Sequence, residues 1–205
     1  MILRLVMKLA VLFAAALAGL QSTVGPAFSG GFAGWSPQDA KPGTFTMRGD
    51  TLHVEGSDGW LRSDRQYGDF TLHTDFRFLG DDTDSGIYVR ALAQTPFLRG
   101  WPNQSYQVQV RNPIGQSRFP PVGGLFRHGM PDGELQYDPA VAGKLSRPTG
   151  EWQTLEIDAV GDRLAVRLNG SELMRAGNIG NPRGYIGIQA EVGAIEFRGL
   201  TVRER

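Results

Sequence analysis

The chain has 205 residues, with 21 Lys+Arg against 21 Asp+Glu, three His and no Cys. Charge neutrality argues against a nucleic-acid-binding protein, which carries a basic surplus. The absence of Cys excludes a disulfide scaffold, thiol catalysis, thiolate metal sites and an N-terminal lipid-modified Cys. Twenty-eight Gly and 12 Pro stay below the roughly 25–30% that marks low-complexity disorder, so one turn-rich domain is expected.

The first 27 residues stand apart. Arg4 and Lys8 precede an unbroken apolar and Gly run, Leu9–Leu20, and a small, polar stretch, Gln21–Ala27, follows. This is the pattern of a secretory signal peptide, with cleavage near Ala18 or after Ala27. Twelve uncharged residues fall short of the ~20 needed to span a bilayer, so no stable membrane insertion is expected after cleavage. The expectation is a secreted or periplasmic protein. Its mature chain, residues 28–205, keeps 19 basic and 21 acidic residues, which gives no electrostatic handle for nucleic acid or anionic membranes.

From residue 44 onward the pattern is one of strands. Period-2 segments occur at Phe45–Arg48, Leu52–Glu55, Phe70–Phe78, Gly86–Ala91, Tyr106–Arg111, Trp152–Ala159, Arg163–Leu168, Tyr185–Gln189 and Ala194–Val202. Gly49-Asp50, Val160-Gly161-Asp162 and Asn169-Gly170 are turn signals between them. Ten or so short strands at this spacing predict an all-β sandwich or barrel. Three stretches are too long for simple hairpin loops: Asp81–Ser85, Gln94–Asn103 and Asn112–Gly150. In a compact β domain such loops commonly carry function.

The polar faces of the strands carry the functional signal. Alternation puts Phe70, Leu72, Phe76 and Phe78 on one face, and Thr71, His73, Asp75 and Arg77 on the other. With Ile87, Val89, Val108 and Val110 inward, Tyr88, Arg90, Gln107, Gln109 and Arg111 point outward. Arg, amide and aromatic side chains on three strands suit a polar, ring-shaped ligand such as a sugar. Trp101, Phe97 and Phe119 in the adjoining loops offer stacking platforms. The alternative is a solvated sheet laced with Asp–Arg pairs. His73 and Asp75, two apart on one strand, can form an acid–base pair. His53 and His128 lack metal-ligand spacing and read as surface or core residues. Asp81-Asp82-Thr83-Asp84 offers oxygens to a divalent cation such as Ca²⁺ or forms an exposed acidic turn.

Several segments in order resemble one family. They are Gly30-Gly31-Phe32-Ala33-Gly34-Trp35, Gly68-Asp69-Phe70-Thr71-Leu72, Asp84-Ser85-Gly86-Ile87-Tyr88-Val89-Arg90 and Tyr106-Gln107-Val108-Gln109. Gly150-Glu151-Trp152-Gln153, Leu168-Asn169-Gly170, Gly184-Tyr185-Ile186-Gly187-Ile188-Gln189 and Phe197-Arg198-Gly199-Leu200 follow. Over residues 30–203 the chain is similar to the 3-keto-disaccharide hydrolase family, long called domain of unknown function 1080. The resemblance implies a concanavalin A-like jelly-roll β-sandwich of two antiparallel sheets and a carbohydrate ligand. It further implies cleavage of glycosides oxidised at C3, where the ketone acidifies the C2 proton and the C1 substituent leaves by elimination. A divalent cation is an optional oxyanion stabiliser in such chemistry.

The family's strand motif Tyr-Glu-x-Gln-x-x-Asp reads here Tyr106-Gln107-Val108-Gln109-Val110-Arg111-Asn112, with amides at Gln107 and Asn112 in place of both carboxylates. Amides hydrogen-bond a sugar but serve neither as base nor as strong ligand for a hard cation. The resemblance leaves Glu191, in Gln189-Ala190-Glu191, as a second candidate base. The expected roles are therefore His73 with Asp75, or Glu191, as catalytic base. Tyr88, Arg90, Gln107, Gln109, Arg111, Gln189 and Trp101 are expected to bind substrate. A lectin-like binding module on the same fold is the alternative, and an interaction domain a third reading.

Overall fold

The computed structural model describes residues 23–24, 28, 31–92, 98–115 and 117–205. The segment read as a signal peptide lies outside these residues except for Thr23–Val24, and Phe97 lies outside them too. Among the described residues the strands form two sheets, antiparallel at every pairing, with one short helix.

In chain order the elements are β1 (Thr23–Val24), β2 (Trp35–Gln38), β3 (Phe45–Arg48), β4 (Thr51–Glu55), β5 (Trp60–Ser63), β6 (Phe70–Phe78), β7 (Asp84–Ala91), β8 (Ser105–Arg111) and β9 (Leu125–His128). Then come β10 (Leu135–Tyr137), α1 (Pro139–Leu145), β11 (Gln153–Val160), β12 (Arg163–Leu168), β13 (Ser171–Ala176), β14 (Tyr185–Gln189) and β15 (Ala194–Glu204). One sheet runs β10-β13-β12-β11-β6-β15-β4-β3, with β1 paired to β15; the other runs β2-β5-β14-β7-β8-β9. This is a concanavalin A-like jelly-roll sandwich, as expected. The nine predicted strands are all present. Read as irregular, Asn112–Gly150 in fact contains β9, β10 and α1.

The core lies between the sheets. The apolar side of β6 (Phe70, Leu72, Phe76, Phe78) faces Ile87, Val89, Val108, Val110, Ile186 and Ile188 of the smaller sheet, all buried. The alternation read from sequence thus sets the inner layer on both sheets. Asn169, at φ 51°, opens the two-residue hairpin loop that pairs Leu168 with Ser171, the geometry that Asn-Gly favours.

Alternation fails at one place. Along β14 Tyr185 and Gly187 are two apart, but their partners on β7, Ala91 and Tyr88, are three apart. The extra residue makes a bulge, and Arg90 within it has φ 50°. Ala91 therefore returns to the face of Tyr88, and the two join Trp60 and Trp101 in a second apolar cluster on the outer side of the smaller sheet. Arg90 is turned away and fully buried, with Nη2 on Asp69 at 2.9 Å and Nη1 donating to the Gly161 carbonyl. Its expected outward position is corrected on this ground. Arg90 ties the end of β7 in one sheet to the β11–β12 turn of the other.

Trp60 packs flat because Gly187, on the neighbouring strand, has no Cβ: a methyl there would lie inside the van der Waals envelope of the indole. Trp60 is buried and has little room to retreat. Gly187→Ala should cost about 2 kcal/mol by overpacking and lower the thermal midpoint by roughly 4–8 °C. Scanning calorimetry would check this, an unchanged midpoint contradicting the packing account.

Candidate functional site

The outer face of the smaller sheet holds a cavity of about 200 Å³. Its floor comes from alternate residues of adjacent strands. Gly86 and Tyr88 of β7 stand opposite Gln109 and Gln107 of β8, and Phe126 of β9 stands opposite Gln107. Gln189, at the end of β14, completes the floor, and Trp101, Phe119, Phe126, His128 and Glu191 form the walls. The ring of Phe126 stacks on His128 with centroids 5.9 Å apart, and Phe119 meets Phe126 edge-on at 6.0 Å. Trp101 is fixed by its indole N–H, which donates to the Ala190 carbonyl at 3.2 Å.

One hydrogen-bond network orders the polar floor. Gln107 Nε2 donates to Gln109 Oε1 at 2.6 Å and to Gln189 Oε1 at 2.9 Å. Gln109 Nε2 donates in turn to Asp84 Oδ1 at 2.7 Å. Because the carboxylate at the far end accepts, each amide's direction is set, and Gln107 Oε1 is left to accept from His128 Nε2 at 2.8 Å. That tautomer carries its proton on Nε2. Burial holds the His128 pKa below the usual imidazole value, so the ring is neutral at pH 7. The Gln107 amide fits flat across β7 because Gly86 leaves the space a Cβ would take.

Two carboxylates border this floor. Asp84 is buried at the start of β7, and its pKa is pushed up to about 7, first by burial and then by the charge of Glu191, with Arg111 opposing. Burial also raises Glu191, while the Arg99 charge and the neighbouring Gln189 amide pull it back. Under the floor, the Tyr88 hydroxyl is fully buried beside Gln189 without a well-formed hydrogen bond, and burial raises its pKa well above the usual phenol value. A second cavity of about 390 Å³ adjoins the first, sharing Phe119 and Glu191 with it and adding Asp84, Arg99, Arg111 and Val192.

The structure brings together Gln107, Gln109, Gln189, Trp101 and Glu191; Tyr88, expected to bind substrate, is on the same face but fully buried and lines neither cavity. It separates the others. His73 and Asp75 lie on β6 of the nine-stranded sheet, where His73 stands beside Glu156 and Thr201, and Asp75 is bonded to Thr154 and Arg198. They share no surface with the cavity and form no acid–base pair there. Alternation assigns each strand two faces but not its sheet, so three polar faces were read as one. Arg111 is committed to the loop that follows it, donating to the carbonyls of Pro120, Asn112, Gly115 and Phe119. Of the two amides at positions where the resemblance implies carboxylates, only Gln107 reaches the floor; Asn112 holds Gly80 and Thr149.

Two residues of the site were missed. In the sequence Asp84 reads with an acidic turn, although its alternation with Gly86 and Tyr88 already places it on the cavity face. His128 sat in the stretch read as irregular, where Phe126 and His128 alternate with Leu125 and Arg127. The acidic turn does not converge on a cation: Asp81 accepts from Thr149 and Asp84 from Gln109. Among the described residues no three His, Asp or Glu side chains are grouped to hold a metal ion. Nor is any helix among them long and apolar enough to cross a membrane.

Comparison with known proteins agrees with this architecture. Residues 25–203 match the profile of the 3-keto-alpha-glucoside-1,2-lyase-like domain. A candidate glycosyl hydrolase from Parabacteroides distasonis superposes with TM-score 0.65 at 18% identity, covering 88% of this chain and 98% of its own. The carbohydrate-binding module CBM66 from Bacillus subtilis gives 0.57 at 14% identity, with 83% and 96% covered. A Bacillus licheniformis β-glucanase gives 0.50 at 11%, with 89% and 98% covered. At these identities the likeness is one of fold. No curated protein matches the chain.

The raised Asp84 pKa has a measurable consequence. Between pH 4 and 7 the folded protein keeps a proton that the unfolded chain has released, so stability falls as pH rises through that window. Asp84→Asn can still accept from Gln109, and it should flatten this dependence. Against wild type it gains up to roughly 4 kcal/mol above pH 7 and little near pH 4. Denaturant unfolding across the range checks both, and a variant destabilised at pH 8 would contradict the assignment. Glu191→Gln removes the like charge and should lower the Asp84 pKa, read by carboxyl NMR titration.

Proposed function

The chain belongs to the 3-keto-alpha-glucoside-1,2-lyase-like domain family, and on that premise we propose that it cleaves glycosides already oxidised at C3. The family match supports a carbohydrate-related role. The observation that carries the catalytic reading is Glu191, a carboxylate of raised pKa at the junction of two cavities, beside a floor of amides.

In this reading the sugar ring occupies the smaller cavity between Trp101 and the Phe126–His128 pair. An apolar wall with a few convergent amides is the usual form of a sugar-sized site. The C3 ketone acidifies the C2 proton, which Glu191 removes. Charge develops on O3, where the remaining N–H groups of Gln109 and Gln189 stabilise it without reorganising, since the network already fixes their direction. Collapse of the enolate expels the C1 substituent, and Asp84, half-protonated near pH 7, supplies the proton to the leaving oxygen. Water then adds across the C1–C2 double bond to give the free 3-keto sugar. Glu191 and Asp84 have coupled charges, so the pH–rate profile reports the pair rather than either residue. The apolar run Leu9–Leu20 behind Arg4 and Lys8 supports export as part of the proposal.

A lectin-like module is the second reading, favoured by the neutral amide at Gln107 in the middle of the floor. One experiment separates the two. The mature protein is incubated with 3-keto glycosides, and aglycone release is followed with and without divalent cations. Release is expected, with Glu191→Gln reducing kcat/KM at least 100-fold. Saturable binding without release under any condition would replace catalysis by recognition.

A further inference from the structure

We propose that Arg111 is a positioning residue: the loop of residues 112–121 folds around its guanidinium, and that loop holds Phe119 where the cavities meet. Arg111 thereby sets ligand affinity through Phe119 and takes no part in proton transfer. For the identity of the ligand the inference rests on the 3-keto-glycoside reading, which sets the sugar in the first cavity.

The loop leaves β8 and returns beside it, the Val122 N–H donating to the Arg111 carbonyl at 3.0 Å. Between these ends it cannot be held as a strand would be. Pro113, Pro120 and Pro121 have no N–H and a fixed φ, so the loop's carbonyls need donors from elsewhere. Arg111 supplies them. It is buried, and its Nε donates to the Pro120 carbonyl at 3.3 Å, its Nη1 to those of Asn112 at 3.0 Å and Gly115 at 2.8 Å, and its Nη2 to that of Phe119 at 2.8 Å. Four of the five N–H groups of a guanidinium are thus spent on one loop. Three nitrogens of one planar group meet these carbonyls, a task that the single nitrogen of a lysine cannot repeat. Gly115 fixes the loop on its other side, so close to the Asp81 carbonyl that a Cβ would lie 2.6 Å from it.

What the loop places is Phe119. Its carbonyl is held by Arg111, and its N–H donates to the Ser117 hydroxyl at 3.1 Å. The ring meets Phe126 edge-on at 6.0 Å and has the Arg118 guanidinium 5.0 Å from its centre, yet it stays 42% exposed. It lines both cavities of the site and a third, of about 1040 Å³, between the loop and α1. A ligand that extends from the first cavity into either of the others meets this ring. An exposed aromatic face at that junction is a platform for a sugar, and its place is decided by the side chain inside the loop.

The test is a double-mutant cycle on Arg111→Lys and Phe119→Ala, with kcat and KM measured for a 3-keto disaccharide. Lysine keeps the charge that opposes the rise at Asp84, so the cycle reads the loop. Each single variant should raise KM about fivefold or more with kcat nearly unchanged. The double variant should raise KM less than about twofold beyond Phe119→Ala alone. If Arg111→Lys multiplies KM equally with and without Phe119, Arg111 acts on the ligand directly and the inference is overturned. An unchanged KM in Arg111→Lys overturns it as well. A ligand-free measurement separates these outcomes from failure of the underlying reading. By NMR, the ring contacts between Phe119 and Phe126 should vanish in Arg111→Lys, while those between Phe126 and His128 remain. If the substrate does not turn over, the 3-keto-glycoside reading fails, and the ring contacts then decide: their persistence in the variant overturns the inference. Arg111→Gln takes the place of a lysine variant that does not fold, with the same outcomes.

Discussion

The site depends on the two N–H bonds of a single amide. Gln107 Nε2 gives one to Gln109 and one to Gln189, and from that choice every other direction in the floor follows. Gln109 must turn its NH₂ to Asp84, Gln189 must turn its own toward Glu191, and His128 must hold its proton on Nε2. A carboxylate at position 107 could only accept. It would reverse both glutamines and present oxygen to oxygen at Asp84, unless that residue bound a proton. A glutamine rather than a carboxylate at this position is therefore a change of polarity across the whole floor rather than the loss of one charge. It leaves Asp84 and Glu191, at the rim, as the carboxylates that border the floor.

That rim is expensive to keep. Two carboxylates share a partly buried space, with Arg111 turned to backbone carbonyls and the Arg99 charge acting on Glu191. Burial raises both pKa values, and the charge of Glu191 adds to the rise at Asp84. The same desolvation that burdens the fold brings Asp84 up to about 7. Most other charges of the protein are handled differently. On the outer face of the nine-stranded sheet, Glu196 takes Arg77, Arg48 and His53, and Asp158 takes Arg167 and Arg205. There each acid meets bases from strands one or two places away, and the carboxylates of Glu196 and Asp158 titrate below their ordinary values.

The fold was legible in the sequence because it rests on local periodicity. Phe70, Leu72, Phe76 and Phe78 alternate with polar residues, and the structure buries them as read. The site was half legible. Gln107, Gln109 and Gln189 declared themselves by standing outward on strands whose inner faces are apolar. His73 and Asp75 looked equivalent to them, since nothing in a strand's own residues says which sheet it will join; that is decided by pairing with β11 and β15, some 80 and 125 residues away along the chain. His128 was hidden by a short strand among Pro, Gly and Arg, with too few residues to show a period. Arg90 was misread for a different reason: a bulge cannot be seen from one strand, only from the mismatch with its neighbour.

The bulge also sets how this protein tolerates changes of length. A regular strand that loses one residue slips its register, and all side chains on one side of the cut change faces. In β7 the cut would remove the surplus residue. The strand would then run straight from Tyr88 into the position now held by Ala91, with the pleat repaired and the pairing to β14 continuous. The ligand face would survive, but the arginine that crosses to Asp69 would be lost with the irregularity that aims it. Length variation at Val89–Arg90 is thus decoupled from the floor of the site and coupled to the joint between the two sheets.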